Sequence, residues 1–482
     1  MGSPDPPESK RRRRVALIAG PLAAALVGLA SVGLAGLSSG AASTAAITTW
    51  CALWWVLEPI PLAATSLIPF ALLPLAGVIS HREVATAYGH HLVLLMLAGS
   101  IVSTAMERSE AHRRLALGMI RAVGGGGGRR LVLGFLLASA ALSMWMSNTA
   151  TTLMLLPVAL AVLASARGEQ ARAVLTLPLL LSVAYGGAIG GSATLIGTPP
   201  NLILQEQLRL STGEELSFTG WMAYATPVAA VMIPIAWLWL TRRFRGQMDE
   251  VELPQLGPWR VEERRVLLVF GLMALAWMTR SGPFGGWGGL LGVEAYAGDS
   301  TVALVAALVL FVLPRGGGGG ERLLDWDTAK TIPWGVFIMI GGGMAIGKAF
   351  VASELSAELG AGLRSLGELT PFVVVPLVCL VATFTTELTS NTATASVMMP
   401  ILGAAAGASG IDPLWLMLPA GLGLNHAFML PVASASNAIT YGTGKMTTRQ
   451  MAREGLVLNL LGTAVISAVC LAAAWSAGAL GR

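Results

Sequence analysis

Ser147-Asn148-Thr149-Ala150-Thr151 joins two apolar arms, near 131–146 and 149–164. The same five residues return as Ser390-Asn391-Thr392-Ala393-Thr394 between arms near 372–389 and 392–405. The offset of 243 also pairs Pro157 with Pro400, Met96 with Met339 and Gly99 with Gly342, and one inserted residue aligns Ser109 with Ser353. A Gly or Met match is weak evidence. An identical polar pentapeptide in matched apolar contexts identifies an internal repeat.

The surroundings of these arms place the repeat in a membrane. Of 482 residues, 54% are hydrophobic and 12% charged, with a mean hydropathy of +0.69; soluble domains carry about twice that charge. Apolar windows of roughly 20 residues, the length that crosses a hydrocarbon core, occur near 15–37, 44–57, 61–80, 91–107, 172–203, 220–241, 265–281, 301–314, 333–350, 412–440 and 454–478. The expected fold is an all-α polytopic membrane protein of about eleven transmembrane helices plus two helical hairpins. Basic Lys10 to Arg14 before the first window fit a retained signal anchor better than a cleaved peptide. Cys51, Cys379 and Cys470 have no metal-ligand spacing and read as packing residues.

Charge tests this order of spans. With the N-terminus in the cytoplasm and each arm pair returning to its own side, only Arg82, Arg209, Arg280, Lys348, Arg364 and Arg482 of the 31 basic residues fall outside. The excess of basic residues inside follows the positive-inside rule, and it explains the net charge of +5 without nucleic acid. The glycine runs 124–128 and 316–320 fall in inside loops without a following Gly-Lys-Ser/Thr, and read as linkers rather than phosphate loops. An odd number of spans separates the two arm pairs, so they enter from opposite faces and the repeat is inverted. Arms of about sixteen residues reach roughly 24 Å, just short of a crossing, which favours re-entrant hairpins.

The tips carry the chemistry. Ser and Asn favour helix N-caps, so each return arm should begin at its tip, with free N–H groups and a positive dipole end facing the protein centre. Hydroxyl, amide and carbonyl oxygens there can replace the hydration shell of a small cation. Ser143 precedes Ser147 by four residues, and Thr386 precedes Ser390 by four. On a helical arm that spacing puts both hydroxyls of each pair on one face, one turn below the tip. No Lys or Arg lies between 131 and 164 or between 365 and 444, so no fixed charge replaces a cation. A single Ser-Asn-Thr could be a cap or a helix–helix bond; two in inverted register point to a shared site.

At these residues the chain resembles the divalent anion–sodium symporter family of di- and tricarboxylate carriers. Trp54-Trp55-Val56-Leu57-Glu58-Pro59-Ile60-Pro61, continuing through Ala64 to Pro69, resembles the family's early helix signature. Ser143 to Thr149 and Thr386 to Thr392 resemble its two hairpin motifs, and Gly197-Thr198-Pro199-Pro200-Asn201 resembles the unwound stretch after the first. The resemblance covers about 45 to 478, leaving the tail and first span outside. It implies a homodimer in which a transport part slides, elevator-like, against a scaffold. It implies one sodium near Ser143, Ser147, Asn148 and Gly197, and another near Thr386, Asn391 and Ala433. Ser147, Asn148, Thr149, Thr198, Ser390, Asn391 and Thr392 would hold the substrate carboxylates, with Ser434 keeping a hydroxyl after the second hairpin. The family often has Thr-Pro-Pro-Asn there; this chain has Ser434-Ala435-Ser436-Asn437, so the second break and its cation site are less firmly fixed.

The implied organisation is a basic cytoplasmic tail (1–14), scaffold and interfacial helices (15–130), a first transport half (131–241), a cytoplasmic loop with scaffold helices (242–370) and a second transport half (371–482). The leading reading is a sodium-coupled symporter of dicarboxylates such as succinate, malate or fumarate in a bacterial inner membrane. The alternatives are a sodium-independent exchanger, a sulfate carrier or, from another class, an ion channel. Channel filters form on an axis along the membrane normal, unlike an inverted repeat. No enzyme motif is present. His426 reads as a packing histidine, Glu58 as a helix end, and His90 and His91 as interface residues. Glu387 is either a direct cation ligand or a support for one. Part of the 14 Trp group near span ends, as in an aromatic belt.

Overall fold

The computed structural model describes residues 7–123, 127–166, 169–244, 253, 255–280, 286–316, 320–362 and 369–476, without the side chains of 7–12, 171 and 362. Glycines 124–126 and 317–319 of the two expected linkers lie outside the described residues. The fold is all-helical. Among the described residues the only β pairing is an isolated bridge, Pro314 to Arg322.

Among the described residues, nine helices are long and apolar enough to cross a membrane. Seven coincide with expected spans, and two are the return arms Asn148–Ser165 and Asn391–Ser409. The remaining four expected spans look different, each for a local reason. The stretch 61–80 is split into Leu62–Thr65 and Ile68–Leu75. Val261–Met278 opens with Glu262, Glu263, Arg264 and Arg265, Asp299–Val312 has only 14 residues, and 412–440 is broken after Asn425.

Polar contacts group the loops by end. Arg13 Nε donates to Pro59 O, Arg108 pairs with Asp325, Arg114 with Glu263, and Arg242 with Glu454. All of these join segments assigned to one side by charge. At the other end His91 meets Glu215, Arg280 meets Asp299, and Lys348 donates to Thr86. Trp55, Trp221 and Trp277 are fully buried, so an aromatic belt accounts for only part of the tryptophans.

Each half of the repeat has the same order: an entry arm, a tip, a return arm, a helix, a break and a second helix. In the first half these helices are Gly128–Ser143, Asn148–Ser165, Glu169–Ser192 and Pro199–Thr212. In the second they are Pro371–Thr386, Asn391–Ser409, Pro413–Asn425 and Ala435–Tyr441. The entry arm of the first half packs tightly on Glu169–Ser192, because a Cβ at Gly190 would lie 2.0 Å from Ala140 O. Only glycine lets the two backbones approach so closely. The first break begins at Ala193, well inside the expected span 172–203, and the helix beyond it runs on to Thr212.

Candidate functional site

The two tips meet in one cavity of about 920 Å³. Ser147, Asn148, Thr149, Gly197, Thr198, Ser390, Asn391, Thr392, Ala433 and Ser434 all line it, together with Met146, Ala435 and Ser436. Ten candidate positions from four separate segments thus reach one space. Ser143 and Thr386 do not line it. Both are fully buried one step behind the tips.

Neither residue shares a helical face with its tip serine, contrary to the spacing. The entry arms end at Ser143 and Thr386, so neither helix continues through its tip serine. Ser147 and Ser390 instead occupy the N-caps of the return arms. The hydroxyl partners are therefore the tip asparagines: Ser143 Oγ donates to Asn148 Oδ1, and Thr386 Oγ1 donates to Asn391 Oδ1 at 2.6 Å. The tip serines also differ from each other. Ser147 Oγ accepts from Ala150 N at 3.2 Å, whereas Ser390 makes no capping bond.

Four hydroxyl-bearing N-cap residues face the cavity: Ser147, Thr198, Ser390 and Ser434. Three of them start helices of 14 or more residues, Asn148–Ser165, Pro199–Thr212 and Asn391–Ser409. The free N–H groups and positive ends of such helices favour an anion. The preceding helices end at Ser143, Ser192, Thr386 and Asn425, where the negative ends of their dipoles favour a cation. Among the described residues no Lys or Arg lines the cavity. Among the described residues there is also no cluster of His, Cys, Asp or Glu that could hold a metal.

Both breaks are held by the same device. Asn201 Nδ2 donates to Gly191 O and Thr194 O at 3.2 and 2.7 Å. Asn437 Nδ2 donates to Ala427 O and Leu430 O at 3.0 and 3.1 Å. Gly197 completes the first turn, since a Cβ there would lie 2.2 Å from Gly191 O. The second break lacks the prolines and is held from outside. Glu387 accepts from Met429 N and Leu430 N, both at 2.9 Å, and from Asn459 Nδ2 at 2.6 Å. Asn459 Oδ1 accepts from Phe428 N at 3.1 Å. Glu387 therefore supports the break rather than lining the cavity.

Sequence reasoning missed Asn425, Asn459 and the clamping role of Asn201 and Asn437. Asn425 joins the halves: its Oδ1 accepts from Thr198 Oγ1 at 2.9 Å, and its Nδ2 donates to Asn201 Oδ1 at 2.8 Å. The usable signal was an asparagine three residues after each of Thr198 and Ser434. His426 is fully buried, with Nδ1 2.7 Å from Leu422 O and away from the cavity, as a packing histidine would be. Glu58 caps Ser39–Leu57 in a left-handed conformation, and its side of the cavity also carries Glu107, His112 and Thr331. Burial holds the His112 pKa below the usual histidine range.

The sequence matches the sodium:sulfate symporter transmembrane-region family over residues 11–478. The chain belongs to this family. The match of this symporter-family chain begins at residue 11 and takes in the first span, correcting the expected start near 45. The sodium-dependent dicarboxylate transporters SdcS of Staphylococcus saprophyticus and Staphylococcus aureus are each 38% identical over 435 residues, 86% of this chain and 83% of theirs. Two solved transporters share the fold at 13% identity. YdaH of Alcanivorax borkumensis has a TM-score of 0.60, with 85% of this chain and 89% of that one covered. MtrF of Neisseria gonorrhoeae has 0.57, with 81% and 82% covered.

Proposed function

We propose that this symporter-family chain is a sodium-coupled carrier of small dicarboxylates such as succinate, malate or fumarate. One observation carries the reading: four hydroxyl-bearing N-caps converge on a cavity that no described Lys or Arg lines. Helix ends and amides attract carboxylates but leave their charge uncompensated, at several kcal/mol per buried ion. Cations must therefore enter with the substrate. The hydroxyls of Ser143, Ser147 and Thr386, the amide oxygens of Asn148 and Asn391, and the backbone at Gly197 and Ala433 are the oxygens to hold them. Ser147, Asn148, Thr149, Thr198, Ser390, Asn391, Thr392 and Ser434 bind the substrate. The staphylococcal relatives described as sodium-dependent dicarboxylate transporters support both the ion and the substrate class.

The cavity extends from the tips towards Glu58, Glu107, His112 and Thr331, the end at which the basic loops gather. With those loops in the cytoplasm of a bacterial inner membrane, this is the inward-facing state. The hairpins and broken helices, 131–241 and 371–482, then move as the transport part of an elevator against 15–130 and 242–370, within a homodimer. The test is uptake of labelled succinate, citrate and sulfate into proteoliposomes, with a sodium gradient or choline replacement. Sodium-driven succinate uptake is expected. Undiminished uptake without sodium at fixed membrane potential would assign the protein to exchange instead, and uptake of sulfate alone would overturn the substrate class.

A further inference from the structure

The inverted repeat supplies its own control one turn below each tip. Gly187 and Gly423 occupy corresponding places, since each stands at the same distance before its break-clamping asparagine, Asn201 or Asn437. At Gly423 the packing is closed. A Cβ there would lie 2.9 Å from Thr383 Oγ1, 3.0 Å from Cys379 O and 3.2 Å from Cys379 Sγ. A Cβ at Gly187 would instead meet three hydroxyl oxygens at looser range: Ser139 Oγ at 3.4 Å, Ser143 Oγ at 3.8 Å and Thr152 Oγ1 at 3.9 Å. The repeat counterparts of Ser139 and Thr152 are Ala382 and Ala395. The hydroxyl-lined gap therefore belongs to the first half alone.

All three residues are fully buried. Ser139 Oγ donates to Val183 O at 2.6 Å and Ser143 Oγ donates to Asn148 Oδ1, so both oxygens keep lone pairs available. Thr152 Oγ1 has no hydrogen-bond partner. A helical threonine commonly donates to the carbonyl one turn back, as Thr176 does to Arg172 O and Thr394 to Ser390 O. Thr152 forgoes that bond in a dry environment, where an unpaired hydroxyl is costly. Oxygens without a nearby counter-charge suit a small monovalent cation better than an anion or a divalent metal.

We infer that Ser139, Ser143 and Thr152 form an additional sodium site around Gly187, one turn deeper than the tip and sharing Ser143 with it. The site rests on the sodium-coupled reading above and adds an ion to it. An ordered water would also satisfy the trio, and the experiment separates the two. Sodium moved per succinate is read in proteoliposomes from the membrane potential at which flux reverses under fixed gradients. Ser139→Ala and Thr152→Ala should each couple one sodium fewer than the wild type, with a shallower dependence on sodium concentration. Thr152→Ser should restore the wild-type ratio, because it keeps the oxygen. For a variant too slow to transport, calorimetric titration of the detergent-solubilised protein with sodium chloride should count one site fewer. An unchanged ratio or site count in both alanine variants would overturn the site and assign the gap to water. A wild type that needs no sodium would instead overturn the underlying symport reading.

Discussion

Glu387→Gln tests how the second break is held without its prolines. The carboxylate is 3% exposed, with Oε1 accepting from Met429 N and Asn459 Nδ2 and Oε2 from Leu430 N. Glutamine offers a single oxygen. Its best placement keeps Met429 and Asn459 and turns an NH₂ group towards the Leu430 N–H. That loses a hydrogen bond to a charged acceptor, roughly 1.5–3 kcal/mol, and leaves a buried donor unpaired, roughly 1–3 kcal/mol more. Removing a buried charge offsets part of this, so a net loss of about 2 kcal/mol is expected. It would shift the balance between a held and a loosened break roughly thirtyfold. Because Ala433 and Ser434 sit at the end of that break, the half-saturating sodium concentration for succinate uptake should rise several-fold. The thermal midpoint in detergent should fall, and sodium with succinate should recover part of it. Wild-type sodium dependence together with a wild-type midpoint would refute the clamp.

Asn148→Ala and Asn391→Ala should each nearly abolish uptake while leaving expression and the elution profile intact, because each amide serves both substrate and cation; wild-type uptake would reduce the tips to helix caps. Ser143→Ala and Thr386→Ala should raise the sodium needed for half-maximal uptake more than they change the preference among succinate, citrate and sulfate. Cysteines placed at Arg129, Gln255 and Tyr296, with Cys51, Cys379 and Cys470 replaced, should react with an impermeant reagent from the cytoplasmic face, the cytoplasmic face and the outside, respectively. Labelling of Tyr296→Cys from the same face as Gln255→Cys would break the inverted repeat.

Much of the site was readable because its signals are local. Ser147 and Ser390 are N-caps, and a cap depends on a few consecutive residues. The repeated pentapeptide and the side-by-side distribution of arginines likewise need no knowledge of packing. The helix class follows from apolar periodicity and length alone, and so does the expectation of two hairpins. Thr198 and Ser434, which the resemblance added, line the same cavity as the tips.

Contacts between distant segments were decided only by the fold. Whether Ser143 faces Ser147 or Asn148 depended on where the entry arm ends, and that end is set by the turn at 144–147 rather than by helical spacing. The loss of prolines at Ala435 and Ser436 suggests a weaker break, but Glu387, Asn437 and Asn459 converge on 427–430 from three separate segments and hold it. Asn425 joins Thr198 and Asn201 across more than two hundred residues. Composition and spacing determined which elements form and which residues cap them, because those choices are made within one or two helical turns. Which oxygens face one another in the buried interior was left to tertiary packing, where an unpaired polar group is costly and a partner can come from anywhere in the chain.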